Sequence, residues 1–203
     1  MPKMSIVESA FCRSGPWQVI AKRVVPWATQ GFPLSGDVLE LGGGGGAMAA
    51  ALVGDHPSIQ LTTTDFDPAM VSAARERTGE HPRITARQAD ATQLPFTDQS
   101  FDATLSFLML HHVVDWEEAV HEVARVLRPG GQFLGYDLAA SRIATWVHVA
   151  DRSPYRLIGR DEFTPVLRDA GLEPISIEFS FGSRLFRFVA RKPDSADGPA
   201  DNS

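Results

Sequence analysis

This chain is short of several things. Cys12 is its only cysteine, which excludes an internal disulfide and any metal site built from several thiolates. No apolar run is long enough to span a bilayer, and the first residues, MPKMSIVESAFCRSG, lack the apolar core of a secretory signal. Positive charge is in deficit: 19 Lys and Arg against 25 Asp and Glu leave a formal net charge of -6. That balance disfavours non-specific attraction to nucleic acid or to anionic membrane. No internal repeat or internal linker is visible, and no apolar stripe demands a dimer. The expectation is a cytoplasmic protein with no membrane span and no nucleic-acid partner, a monomer or weak homodimer.

What is present is core-forming material. The 203 residues are 43% hydrophobic, enough for one domain with a sizeable core. Residues 1–36 read as a helical cap, in which Ser14 caps and Pro16 occupies the first turn. DVLEL then begins an alternation. Strands are expected at DVLEL, IQLTTT, RITARQA, FDATLSFLML and QFLGYDL. Helices are expected at AMAAALV, at DPAMVSAARERTG capped by Asp67, at DWEEAVHEVARVLR capped by Asp115 with Glu118 in a capping box, and at GRDEFTPVLRDAGL. EPISIEFSF and RLFRFVARK close the chain as two antiparallel strands. This order predicts an α/β fold, a doubly wound, mostly parallel, seven-stranded sheet with one antiparallel strand and helices on both faces. One domain would then cover 1–191, with a short substrate-side insertion at 138–158 and a disordered tail at 192–203.

Five consecutive glycines, Gly42 to Gly46, follow the first strand. Each costs roughly 0.5–1 kcal/mol of backbone entropy in a regular element, so a close approach to the backbone is implied. In such sheets ligands sit at the carboxyl ends of the strands. Gly42, Gly44 and Ala47 also satisfy the dinucleotide fingerprint, with Asp65 at the spacing of its ribose-binding acid. Glu40 argues against a dinucleotide. A carboxylate beside the turn would repel a pyrophosphate by on the order of 1–4 kcal/mol, whereas a cationic ligand would be welcome there.

Four blocks in order resemble the class I S-adenosylmethionine-dependent methyltransferases, in particular the small single-domain group related to ubiquinone and menaquinone methylating enzymes. They are VLELGGGGG, TTTDFDPAMVSAA, QADATQLPFTDQSFDATLS and HEVARVLRPGGQFLGYD, and the resemblance runs from about Val38 to Leu138. The resemblance implies a Rossmann-like fold and S-adenosyl-L-methionine as cofactor, with S-adenosyl-L-homocysteine as product. It places Gly42, Gly44 and Gly46 against the methionine part of the cofactor and Glu40 at its amino-acid end. It places Asp65 on the ribose hydroxyls, Asp90 on the adenine amino group and the Ala91 amide on the adenine ring. Phe66 and Phe107 fall where relatives line the cofactor. Asp67 reads as a helix cap and Asp102 as a structural acid where the fourth strand begins.

Methyl transfer is an in-line displacement for which the cofactor supplies the reactivity, so the protein supplies position and a dry site. His111 and His112, at the mouth of the expected site, are candidate bases; Asp137 is a third candidate catalytic residue. Adjacent histidines make a poor metal pair, and no metal is expected. No N/D-P-P-Y/F block follows the fourth strand, which argues against amino groups of nucleic-acid bases. Arg142, Trp146, His148, Arg152, Tyr155 and Arg156, in the segment after the fifth strand, would suit a small, partly apolar substrate bearing an anionic group. Trp17 and Trp27 read as core, with the pocket entrance as the alternative place for Trp17. Two other functions compete with methyl transfer to an O, N or C atom: an NAD(P)-dependent oxidoreductase, and a cofactor-binding partner domain without chemistry.

Overall fold

The computed structural model describes residues 23–140, 155–180, 182 and 184–194. The cap expected at 1–36 is therefore described only from residue 23, where a helical segment spans 23–28. Ser14, Pro16 and Trp17, and Arg142 to Arg152 of the insertion, lie outside the described residues.

Seven strands form one sheet: β1 (Gly36–Leu41), β2 (Ile59–Asp65), β3 (Ile84–Gln88), β4 (Phe101–Phe107), β5 (Leu127–Leu138), β6 (Glu173–Ser180) and β7 (Leu185–Arg191). Their order is β3-β2-β1-β4-β5-β7-β6. β1 to β5 pair in parallel, and β7 runs antiparallel to both its neighbours. The order reverses between β1 and β4, so the crevice lies at the carboxyl ends of these two strands. The expected α/β sheet, with its single antiparallel strand, is what the chain forms.

Helices α1 (Ala47–Asp55), α2 (Pro68–Thr78), α3 (Trp116–Val126) and α4 (Phe163–Asp169) pack on the sheet. α3 buries Trp116, Ala119, Val120, Val123, Ala124 and Val126, the i, i+3, i+4, i+7 stripe of a helix lying on one face. α1 buries six of its nine residues, because the sheet and the first helical segment enclose it. Two apolar clusters result. One contains α3, α4 and the rings of Phe133, Phe163, Phe186 and Phe188; the other contains α1, Val25, Ala28, Phe107 and Tyr136.

Local chemistry accounts for the start of α2 and for the tie between β1 and β4. Asp67 caps α2, its Oδ1 accepting from the Ala69 amide at 2.9 Å, with Pro68 at the first helical position. Asp102 is structural, as its sequence position suggests. It accepts from the Asp37 amide at 2.8 Å and from Arg128, which also reaches Asp37.

Three expectations need correction. Asp115 occupies the N-cap of α3, but its side chain makes no cap hydrogen bond; only its carbonyl accepts, from the Glu118 amide at 3.1 Å. β5 begins at Leu127, before the Pro-Gly-Gly that was expected to separate helix from strand, and its pairing with β4 shifts register between Phe101 and Ala103. β4 ends at Phe107 rather than Leu110, because Leu108 turns left-handed at φ 57° and a 3-10 turn follows over Leu110–His112. At the other end of the chain Lys192 is held down, its ammonium donating to the Ala124 and Leu127 carbonyls at 2.7 and 2.8 Å. Residues 195–203 lie outside the described residues.

Candidate active site

The glycine run forms the turn from β1 into α1. Much of its need for glycine comes from the protein itself. Gly42 has φ 60°, and a Cβ there would overlap the Met109 side chain. A Cβ on Gly43 would overlap the Thr63 hydroxyl and come within 2.6 Å of Glu40 Oε2. Gly44 donates its amide to Asp65 Oδ2 at 3.0 Å, and Gly46 caps α1 with Ala74 of α2 packed against it. Arg77 of α2 donates to the Gly45 carbonyl at 2.5 Å.

Glu40 lies beneath this turn, fully buried. Neither carboxylate oxygen has a hydrogen-bond partner among the described residues. Burial pushes the carboxyl up to about 7, against the neighbouring Thr63 hydroxyl, which favours the charged form, and reinforced by the negative charge of Asp65. Thr63 faces Glu40 because the two residues are register partners of β1 and β2. Asp65, at the end of β2, also accepts from the Asp67 amide at 2.9 Å. Burial raises its carboxyl too, opposed by the Asp67 and Gly44 amides.

The neighbouring strand ends carry the other candidates. Asp90 follows β3, its Oδ1 accepting from the amide and hydroxyl of Thr92 at 2.9 and 2.7 Å. Ala91 is buried, Phe66 is half-buried, and Phe107 closes β4 with its ring 5.9 Å from that of Tyr136. Trp27 stands edge-on to the same Tyr136 at 5.4 Å.

Beyond β4, Asp137 organises the turn. This fully buried carboxylate accepts from the Met109, Leu110 and Leu138 amides at 3.1, 2.7 and 2.6 Å, and meets His111 Nδ1 at 2.5 Å. His111 is 2% exposed and His112 half-buried, with their rings 4.0 Å apart. Arg156 donates its amide to the His111 carbonyl at 2.8 Å, while its guanidinium pairs with Glu117 and lies over the Trp116 ring. That guanidinium is thus committed within the protein, which weakens its candidacy as a substrate clamp.

All twelve candidate residues lie at the carboxyl ends of β1 to β5 or just beyond them. Thr63 and Met109 were missed. Thr63 sits two residues before Asp65 on the same side of β2, a signal open to a period-two reading. Met109 carries no such signal, since its place over Gly42 depends on the left-handed Leu108.

The buried, unpartnered Glu40 and the acid at the end of β2 fit a ligand that brings positive charge and a diol. The comparisons agree in kind. The sequence pattern of a methyltransferase domain matches residues 39–135. A ubiquinone/menaquinone biosynthesis C-methyltransferase from Desulfotalea psychrophila is 35% identical over 136 residues, 66% of this chain and 55% of that protein. A 27-O-demethylrifamycin SV methyltransferase from Amycolatopsis mediterranei is 31% identical over 152 residues, 70% of this chain and again 55% of that protein. The chain thus spans little more than half the length of these curated relatives. In fold it is similar to a chain of the complex between the Haloferax volcanii Trm112 methyltransferase activator and a putative methyltransferase. The TM-score is 0.78 at 20% identity, covering 94% of this chain and 99% of that one. The methyltransferase domain pattern and the relatives support a class I S-adenosylmethionine-dependent methyltransferase with S-adenosylmethionine as its cofactor, and the solved neighbours share its fold.

Proposed function

We propose that the protein transfers a methyl group from S-adenosylmethionine to an O, N or C atom of a small, partly apolar molecule in the cytoplasm. The observation that carries this reading is Glu40, a carboxylate buried beneath the glycine turn with no hydrogen-bond partner for either oxygen among the described residues. An uncompensated buried charge is costly, and a cationic ligand removes that cost. A dinucleotide would add pyrophosphate charge beside Glu40 and Asp65, which disfavours an NAD(P)-dependent oxidoreductase.

The cofactor, when bound, supplies a methyl group activated on a sulfonium. In this reading the chain's residues divide the remaining work. Gly42, Gly44 and Gly46 bring backbone close to the methionine part, with Glu40 at its cationic end. Asp65 accepts from the ribose hydroxyls, giving up its bond to the Gly44 amide. Asp90 and the Ala91 amide address the adenine, with Phe66 against its face and Phe107 beside the methionine. His111 takes the acceptor's proton where the acceptor has one to lose. Asp137 is a positioning residue, since it accepts on every side and thereby assigns the shared proton to His111 Nδ1, which leaves Nε2 as the base. His112 stacks beside it as the alternative base. Trp27, Phe107 and Tyr136 supply apolar ring surface on the acceptor side. The two curated relatives differ in their names, one tied to ubiquinone and menaquinone biosynthesis and the other to 27-O-demethylrifamycin SV, so a partly apolar acceptor suits both without choosing between them.

The test is thermal unfolding of the purified protein with S-adenosylhomocysteine and, in parallel, with NAD. A ligand at 100 times its dissociation constant adds about 2.7 kcal/mol, a rise of several degrees at this size. S-adenosylhomocysteine alone should raise the midpoint, and Asp65→Ala should weaken that binding by on the order of 1.5–3 kcal/mol. A rise with NAD alone would transfer the site to a dehydrogenase. Binding of S-adenosylhomocysteine with no turnover of any acceptor would favour a non-catalytic partner domain. Unchanged affinity in Asp65→Ala would remove that residue from the ribose.

A further inference from the structure

Glu40 has a property that the cofactor-binding role does not itself require. Its carboxyl is sealed from water, with both oxygens unpartnered among the described residues. In that setting the neutral form is the cheaper one to bury. The titratable and charged groups around it do not favour ionisation. Asp65, from β2, adds negative charge directly, and Asp67 lies just beyond it. α1 contributes no charged side chain before Asp55. Among the described residues, the cation reaching the turn is Arg77 of α2, and it is engaged with the Gly45 carbonyl. On the β4 side, His111 and Asp137 are paired with each other. Among the described residues nothing on the neighbouring elements supplies Glu40 with the positive charge its ionised form needs; the Thr63 hydroxyl alone favours that form.

We propose that cofactor loading is a proton exchange, in which the arriving ammonium end of the cofactor expels the proton from Glu40 to solvent. The O–H bond of the carboxyl breaks, its electron pair stays on the carboxylate, and the cation takes over the charge compensation. Nothing is oxidised or reduced. Occupancy of the site then depends on pH close to neutrality, with tighter binding on the alkaline side. This inference rests on the cofactor-binding reading above and adds a proton to its stoichiometry.

S-adenosylhomocysteine, which keeps the ammonium, is the probe. Titration calorimetry at pH 6, repeated in buffers of different ionisation enthalpy, counts the protons released. With the carboxyl at about 7, close to one proton (about 0.9) should leave per ligand at pH 6, and almost none at pH 8.5. Affinity should tighten about tenfold between pH 6 and pH 8. Glu40→Gln keeps the shape of the neutral acid and should abolish both effects, whereas Asp65→Asn, which removes a negative charge that raises the Glu40 carboxyl, should reduce the release at pH 6 without abolishing it. Infrared difference spectra of the wild type alone give an independent readout, because the band of a protonated carboxyl should disappear on ligand addition at pH 6. Binding without proton release, or equal release from Glu40→Gln, overturns the exchange while leaving the cofactor site intact. Failure to bind at any pH sinks the proposed function and this inference together.

Discussion

Two buried carboxylates stand at the carboxyl ends of strands on either side of β4, and they are opposites. Asp137, at the end of β5, is fully buried and meets four donors: three backbone amides and the His111 ring. Glu40, near the end of β1, is equally buried and meets none among the described residues. A satisfied buried acid holds structure, because removing it orphans every donor aimed at it. An unsatisfied one is a standing cost that persists in a fold when something outside the chain removes it. On this contrast the β5 side of the crevice is built in advance, and under the proposed function the β1 side would be completed by its ligand.

The largest expected effect follows from breaking the finished side. Asp137→Ala leaves the Met109, Leu110 and Leu138 amides and the His111 ring without their acceptor. A loss of roughly 3–5 kcal/mol is expected, the range for removing one partner of a buried charged network. For a chain of this size that lowers the unfolding midpoint by on the order of 10 °C. A midpoint within about 2 °C of wild type would mean that the turn beyond β4 is held by other contacts and that the two acids do not differ as described.

The ligand-completed side should respond with the opposite sign. Glu40 lies at about 7 when folded, against an ordinary value of 4.5. Between those values the native state keeps a proton that the unfolded chain has lost. Stability without ligand should therefore be greatest below about pH 4.5, fall as pH rises through 7, and level off above it. The full effect is on the order of 3 kcal/mol at about 1.4 kcal/mol per pH unit. At pH 8 Glu40→Gln should melt above wild type in the absence of ligand. At pH 5 the two should nearly coincide. Asp65 is raised by burial as well, so Glu40→Gln should keep a smaller slope of the same sign from that residue. Melting curves of both proteins from pH 5 to 8 check the sign, and a wild-type midpoint that rises across this range would contradict it.

The same contrast explains what was legible in the sequence. The strand and helix order could be read because each element carries its own local signal: an apolar run, Asp67 followed by Pro68, a buried stripe on α3. The positions of Glu40, the glycines and Asp65 could be read because they lie within 26 residues and one strand-turn-strand unit of each other. The role of Asp137 as a hub could not. Its donors lie 26 to 28 residues away along the chain, except for its own neighbour, and they reach it only because Leu108 turns left-handed. β5 was expected to start after Pro-Gly-Gly because those residues break regular structure on their own. Gly130 is accommodated instead by the Lys192 carbonyl, which accepts its amide at 2.9 Å from the far end of the chain. The glycine run announced a close approach, but the sequence could not say that Met109 and Thr63 account for part of it.

Met109 joins the two sides, and it supplies the smallest and sharpest test. Its amide is held by Asp137, and its side chain fills the space above Gly42 that a Cβ would need. Gly42→Ala should cost about 1–3 kcal/mol from crowding alone, with about 1 kcal/mol more from the left-handed backbone. Met109→Ala removes a buried side chain and should cost about 2–5 kcal/mol. Shortening Met109 removes the worst of the crowding, although its Cβ stays 2.9 Å from the added one, so the double variant should be less destabilised than the sum by roughly 1–2 kcal/mol. Urea unfolding of the four proteins measures that coupling. Additivity to within about 0.5 kcal/mol would show that the methionine does not press on the glycine turn. A coupling of that sign that shrinks in an Asp137→Ala background would show more: the satisfied acid sets Met109, and through it the shape of the turn above the unsatisfied one.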